Sequence, residues 1–275
     1  MKAIGLTEFG GPDVLHVVDL PIPEPGPGEI RIRVHAVAVN PADATFRAGG
    51  RASQLADRPP PYVPGVDVAG VIDELGPDTD GRLAVGDRVV ALVIPMDPRG
   101  GTYAERIVVD AKSVVHAPKD TTHGEASTLL LNALTAHLAL DALDLHAGQT
   151  LAVTGAAGAL GGYAIQRAKA RGLTVIADAS PDDDDLVRTL APDQVVARGD
   201  GVTDRVRGLV PGGVPGLIDG ANLAAAAIAA IAEDGTLSLR VADVMPARDV
   251  ARAHQRFAGG GIRGRLVLDF ETPLA

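Results

Sequence analysis

The 275-residue sequence contains no cysteine and no tryptophan. Without a thiol the chain forms no disulfide, offers no thiolate metal ligand and has no thiol nucleophile, so a zinc site would need His and carboxylate ligands alone. Aromatics make up 3% of the residues against 46% hydrophobic. The core is therefore expected to be aliphatic, and base-stacking platforms are disfavoured. Positive charge is also short: 25 Lys+Arg face 35 Asp+Glu, a formal net charge of −10 at pH 7. That balance opposes binding to a phosphate backbone, and no nucleic-acid partner is expected. No apolar run reaches the roughly 18 residues of a membrane helix, because Asn132, Thr135 and His137 interrupt the best stretch. The opening MKAIGLTEFG has no basic segment followed by an apolar one, so a soluble, cytoplasmic chain without a membrane partner is expected. The seven histidines include no close HxxxH-type pair, and no metal is expected.

What is present falls into two textures. Over residues 1–120, short β-branched runs at 30–39, 66–75, 88–94, 104–109 and 113–116 alternate with turn residues, an all-β pattern. Proline-rich stretches at 21–29 and 58–65 mark loops or edges between those strands. From about Thr122 the chain becomes Ala/Leu-rich, and 151–180 reads as strand, glycine loop, helix and strand within the length of a βαβ unit. Further strands are expected at 194–197 and 216–219, with a helix at 202–209 between them, so at least four parallel strands can be counted. A strand at 237–244, a helix at 247–257 and a strand at 265–270 close the chain. The acidic patch 182–185 suits a helix N-terminus, where carboxylates complement the dipole, better than a metal.

Gly155, Gly158 and Gly161 form GxxGxxG where the apolar strand 151–153 turns into a helix expected at 163–170. Glycines there let backbone approach a pyrophosphate, and the helix N-terminus offers it N–H groups and positive potential. The GxGxxG pattern is not met as written, since Ala156 interrupts it. No phosphate-binding NTPase loop and no GxSxG serine elbow occurs, and Tyr163 is followed four residues later by Arg167 rather than the Lys of short-chain dehydrogenases.

The segments PEPGPGEIRIRVHAVAVNPAD (23–43), PGVDVAGVIDELG (64–76), VGDRVVAL (85–92), GGTYAE (100–105) and AHQRFAGGGIRGRLVLDF (253–270) resemble the medium-chain dehydrogenase/reductase superfamily. The similarity runs almost end to end. Within it they resemble the zinc-independent quinone oxidoreductase and enoyl reductase branch. Zinc-dependent relatives carry a Cys and a His-Glu pair where this chain has Asn40, and Val66 with Asp67. The resemblance implies an α/β protein: a GroES-like β-rich catalytic domain (1–121, with a C-terminal return at 241–275) and a Rossmann domain (122–240) with a doubly wound parallel sheet, the nicotinamide lying in a cleft between them. It implies catalytic roles for Asn40, Asp43 and Thr135, of which Asn40 and Thr135 would line the nicotinamide. The cofactor-binding set it implies is completed by Gly155, Ala156, Gly158, Ala159, Leu160, Gly161, Asp178, Ser180, Arg198 and Asp219. Asn40 can equally start a turn before Pro41, Asp43 can cap a short helix at 43–48, and Thr135 can bond its own helix. A tyrosine found in some quinone reductases is here Thr45, which removes one side-chain proton donor.

Two residues bear on the dinucleotide. Asp178, at the end of its strand, suits a ribose 2′-hydroxyl and favours NAD(H). Arg198 suits a 2′-phosphate, and with the family it makes NADP(H) the favoured cofactor while NAD(H) stays open. The family's sheet has six strands, yet between Asp219 and Ser238 there is room for one helix and a turn. The sheet is thus short by about two strands, or interrupted near residues 229–235. The missing region often serves dimerisation, so a homodimer is an open expectation. The leading function is hydride transfer from NADP(H) to a quinone or an activated α,β-unsaturated carbonyl, with a carbonyl reductase as the close rival. An NADP(H)-binding protein with little turnover, or a non-redox enzyme reusing the cleft, stands as the alternative. Loops 47–62 and 95–101 carry no legible signal for a particular substrate.

Overall fold

The structure, a computed structural model, describes residues 1–199, 201–219, 241–259, 262 and 265–274. The chain divides into two compact units, Met1–Leu131 with Leu239–Ala275, and Asn132–Ser238. In chain order the described strands are β1 (Lys2–Gly5), β2 (His16–Asp19), β3 (Glu29–Ala38), β4 (Asp67–Leu75), β5 (Arg88–Leu92), β6 (Arg106–Asp110), β7 (Val114–His116), β8 (Thr150–Val153), β9 (Thr174–Ala179), β10 (Gln194–Ala197), β11 (Gly216–Ile218), β12 (Val241–Pro246) and β13 (Arg265–Asp269). The described α-helices are α1 (Pro41–Arg47), α2 (His123–Ser127), α3 (Leu130–Leu143), α4 (Ala159–Ala170), α5 (Asp184–Thr189), α6 (Val202–Leu209) and α7 (Val250–Ala258).

In the first unit the strands form a sheet in the order β12-β13-β3-β4-β5-β7, with β6 also paired to β3, while β1 and β2 pair separately. β3 organises this sheet because its sequence alternates: Ile30, Ile32 and Val34 are buried on one face, and Arg31, Arg33 and His35 point to the other. Along its length β3 changes partner, pairing Glu29 to Arg33 with β6 and Ala36 to Ala38 with β13. The core is aliphatic as composition requires, except that Tyr103 and Phe46 are the largest fully buried side chains. The pair β1 and β2 has no counterpart in the expected strands, since β2 leaves three of its four residues exposed and shows no apolar alternation.

In the second unit four described strands lie parallel in the order β10-β9-β8-β11. Numbered from β8 this is 3-2-1-4, the order that opens a dinucleotide-binding sheet, with α4, α5 and α6 on the crossovers. Helix α4 begins at Ala159, four residues earlier than the sequence suggests, so Gly161 and Gly162 lie inside it. The stretch in which two strands are missing or interrupted, near 229–235, lies outside the described residues. No helix among the described residues is long and apolar enough to cross a membrane.

Candidate functional site

The expected site residues fall into two groups, one on each unit. In the second, the strand order reverses beside β8, and the loop after β8 leaves the sheet at the crevice where open parallel sheets take ligands. Gly155 adopts φ +65°, a left-handed conformation, and nothing lies within 4 Å of where its Cβ would stand. At Gly161 a Cβ would meet Gly155 O at 2.4 Å and the Ala156 Cα at 2.7 Å. The first turn of α4 therefore closes on the loop only because residue 161 has no side chain. Gly158 is the N-cap of α4, and Ala159, Leu160 and Gly161 carry the first-turn N–H groups, which have no carbonyl four residues earlier within the helix. The result is a backbone cradle at the positive end of a 12-residue helix, of the kind that holds pyrophosphate.

At the far end of β9, Asp178 and Arg198 meet one another. The Asp178 carboxylate accepts from the Ala156 N–H at 3.1 Å and from Arg198 Nε at 3.2 Å. Arg198 Nη1 also reaches Asp183 at 3.4 Å, and Ser180 Oγ donates to Asp183 at 2.7 Å. Both carboxylates are buried, at 6% and 7% side-chain exposure, whereas Arg198 keeps 38%. Asp178 thus holds the glycine loop and an arginine at once, and the two residues with opposite implications for the dinucleotide form one ion pair. Asp183, from the acidic patch, is part of the network, and its neighbours Asp184 and Asp185 occupy the first turn of α5 as the dipole favours. Across the reversal point Thr154 Oγ1 donates to the Asp219 carboxylate at 2.5 Å. Thr135 is buried on α3 at 8% exposure.

In the first unit Asn40 and Asp43 sit at the start of α1, both fully buried. Asn40 is the N-cap, and its N–H donates to Asp43 Oδ2 at 2.7 Å, half of a capping box. Asp43 therefore takes part in capping, though from the third position inside a helix that starts at Pro41 with Asn40 as its N-cap, not as the cap of a helix at 43–48. Asn40 Nδ2 donates to Asp67 Oδ2 at 3.0 Å, while Asp67 Oδ1 accepts the Leu131 N–H at 3.0 Å. Tyr103 donates its hydroxyl to Asp43 Oδ2 at 3.3 Å. Its lone pairs remain for His254 Nε2 at 3.2 Å, so the proton of that ring belongs on Nε2. Burial pushes the Asp43 carboxyl up to about 7 and the Asp67 carboxyl up to about 6, their hydrogen-bond donors opposing it in part. Burial likewise raises the Tyr103 hydroxyl and lowers the His254 ring to about 4. Asn40 Oδ1 and Asp43 Oδ1 are buried without a hydrogen-bond partner. Thr45 spends its hydroxyl on the Pro41 carbonyl of its own helix, at 3.0 Å.

Tyr103 and His254 are absent from the residues singled out by sequence, Asp183 is noted there only within the acidic patch, and Asp67 only as a substitute for a zinc ligand. The signal for Tyr103 is its rarity, one of three tyrosines in the chain, within GGTYAE. His254 gives none, because its partner lies 151 residues away.

Comparison with known proteins fits both halves. Residues 26–119 match the alcohol dehydrogenase GroES-like domain family. A chloroplastic quinone-oxidoreductase of Triphysaria versicolor is 34% identical over 203 residues, 71% of this chain and 60% of that protein. Among solved structures, an NAD-dependent alcohol dehydrogenase superposes with a TM-score of 0.87 at 28% identity, covering 98% of this chain and 99% of that one. A mycobacterial protein complexed with NADPH gives 0.82 at 28% identity over 98% and 100%. The chain spans about half the length of the curated relatives it matches. With a GroES-like sheet in one unit and a 3-2-1-4 parallel sheet with its glycine loop in the other, the chain has the architecture of the medium-chain dehydrogenase/reductase superfamily and is similar to proteins of its quinone oxidoreductase and enoyl reductase branch.

Proposed function

We propose that the chain is an NADP(H)-dependent oxidoreductase that reduces a quinone or an activated α,β-unsaturated carbonyl without a catalytic zinc. The observation that carries the reading is the open backbone cradle of Gly155, Gly158 and Gly161 at the start of α4, beside the strand reversal. Ala156, Ala159 and Leu160 would hold the pyrophosphate by backbone N–H groups, with Asp219 nearby and Ser180 and Arg198 at the adenosine end. The bound cofactor would supply the hydride. Asn40 Oδ1, buried and lacking a donor, is suited to accept from a carboxamide N–H, which is the role proposed for it, and Thr135 keeps the nicotinamide-lining role that the family resemblance implies. Asp43 would act as a positioning residue, fixing Asn40 through its backbone N–H. With the Thr45 hydroxyl committed to its helix, the proton for the acceptor is assigned to solvent. A catalytic zinc is excluded from the reading because the Asn40 amide donates to Asp67, whose second oxygen is also engaged. The cytoplasm remains the proposed location.

A specific observation favours NAD(H) as the second reading. Two buried carboxylates, Asp178 and Asp183, already neutralise Arg198, which weakens its claim on a 2′-phosphate.

The deciding experiment is a titration with NADPH and NADH, then steady-state oxidation with 1,4-benzoquinone and an enone as acceptors, before and after exhaustive chelation. Acceptor-dependent oxidation that survives chelation is expected. Tight dinucleotide binding without acceptor turnover would leave a binding protein, and turnover abolished by chelation in protein that stays folded by circular dichroism, then restored by zinc, would end the assignment of zinc-independent chemistry.

A further inference from the structure

His35, His123 and Glu271 come from segments far apart in the chain, yet each brings one metal-ligating atom within 4.8 Å of the others. The sequence shows no local histidine pair, so this grouping is a product of the fold. His35 lies where β3 changes partner from β6 to β13, on the face opposite Ile30, Ile32 and Val34. Its ring stacks on His123, centroids 4.3 Å apart and planes inclined by 26°, and its Nδ1 lies 2.6 Å from Glu271 Oε1.

Two features set the cluster apart from an ordinary ion pair. His35 Nε2 and His123 Nδ1 are both buried without a hydrogen-bond partner, a condition that native structures seldom leave unexplained. The residues are also held in place by their backbones. The Phe270 N–H donates to the His35 carbonyl at 2.9 Å and the Glu271 N–H to Asp269 Oδ1 at 2.9 Å. His123 opens α2, which is capped reciprocally by Thr122 and Glu125.

We propose that His35, His123 and Glu271 bind one divalent transition-metal ion of the zinc class, with water completing the coordination. Two imidazoles and a carboxylate suit Zn²⁺ or Co²⁺ rather than Mg²⁺ or Ca²⁺, which prefer oxygen. Side-chain rotation closes the 4.8 Å spread towards the roughly 3.3 Å ligand separations that tetrahedral bonds of about 2 Å require. Glu271, 57% exposed, leaves a path for the ion. Arg33 and Arg88 place positive charge near His123 and weaken cation binding, which Glu271 offsets. An ion here fastens α2 and the segment after β13 to β3. Its effect is on the stability of the first unit, and it takes no part in hydride transfer.

The test is titration of tag-free protein with Co²⁺, followed by absorption and then by displacement with Zn²⁺, alongside thermal unfolding with and without Zn²⁺. One equivalent is expected to bind with a tetrahedral or five-coordinate cobalt spectrum, and Zn²⁺ to raise Tm. His123→Ala and Glu271→Gln should each weaken binding by at least about tenfold and abolish the Tm rise, while His16→Ala, at an exposed strand position, changes neither. Glu271→Gln is a surface change, so it keeps the test decisive if the histidine variant unfolds. The proposal is overturned if the wild type binds no more Co²⁺ than Glu271→Gln, or if binding survives both substitutions in folded protein.

Discussion

Arg198 stands between two buried carboxylates, and under the proposed function that position would turn dinucleotide choice into a competition for one guanidinium. A 2′-phosphate would have to draw Arg198 from Asp178 and Asp183, at 3.2 Å and 3.4 Å. Asp183→Asn removes one competitor while keeping an acceptor for Ser180, so NADPH affinity is expected to rise relative to NADH. Arg198→Ala should act in reverse. A charge-assisted contact to phosphate is worth about 1.5–3 kcal/mol, and partial exposure with salt screening puts this one at the lower end, roughly tenfold in Kd. Fluorescence titration with both dinucleotides in each variant measures it, with circular dichroism to check folding, because Arg198→Ala also strips two buried carboxylates of their counter-charge. If Arg198→Ala weakens both dinucleotides equally, the preference passes to NAD(H).

At the scale of elements, the junction of β8 and α4 separates binding from folding. A Cβ at Gly158 would meet only the Gly155 carbonyl, at 3.0 Å, and the backbone there (φ −72°, ψ 169°) suits any residue. Gly158→Val should therefore cost about 1 kcal/mol of stability through a poorer N-cap. It should weaken dinucleotide binding by well over tenfold, since the side chain rises where the phosphates approach; calorimetric titration and denaturant unfolding compare the two. The same junction marks how far the sequence could be read. The strands from β3 to β7, the four parallel strands and the helix Val202–Leu209 follow from period-two runs and turn residues. The start of α4 does not, because two glycines in its first turn lower helix propensity, and the reason for the first of them, the close approach of residue 161 to the loop, appears only in the fold. The glycine loop is legible through its own motif, whose glycines lie within a few residues of one another, whereas Asn40 and Asp43 enter through the family resemblance, since their partners Asp67 and Tyr103 lie 27 and 60 residues away. The pairing of Asp178 with Arg198, of Tyr103 with His254 and of His35 with Glu271 was not legible, since each joins segments 20 to 236 residues apart.

For the molecule as a whole, the buried groups around α1 set opposing dependences of stability on pH. Asp43, raised to about 7, holds more protons folded than unfolded between pH 4 and 7, so its contribution is fully present in acid and fades as pH rises through that range. His254, lowered to about 4, holds fewer protons folded than unfolded between pH 4 and 6.5, so its contribution fades as pH falls. The two groups share one hydrogen-bonded chain through Tyr103 and offset each other between about pH 4.5 and 6.5, while Asp67, raised to about 6, adds to the slope of Asp43, so the stability from this cluster falls as pH rises towards 6. Asp43→Asn keeps the acceptor for Asn40 and Tyr103 but no longer titrates, leaving the slope of His254 opposed by Asp67 alone. Relative to wild type, Tm in this variant should climb with pH over that range. A full proton is worth about 1.4 kcal/mol per pH unit, or roughly 3–5 °C per pH unit for a chain of this size. His254→Gln should tilt the profile the other way, losing Tm as pH rises. Thermal scans of the three proteins at half-unit pH steps measure the slopes. Parallel profiles for wild type and both variants would mean that neither group changes its proton affinity on folding, and that the buried chain is held by packing rather than by its charge states.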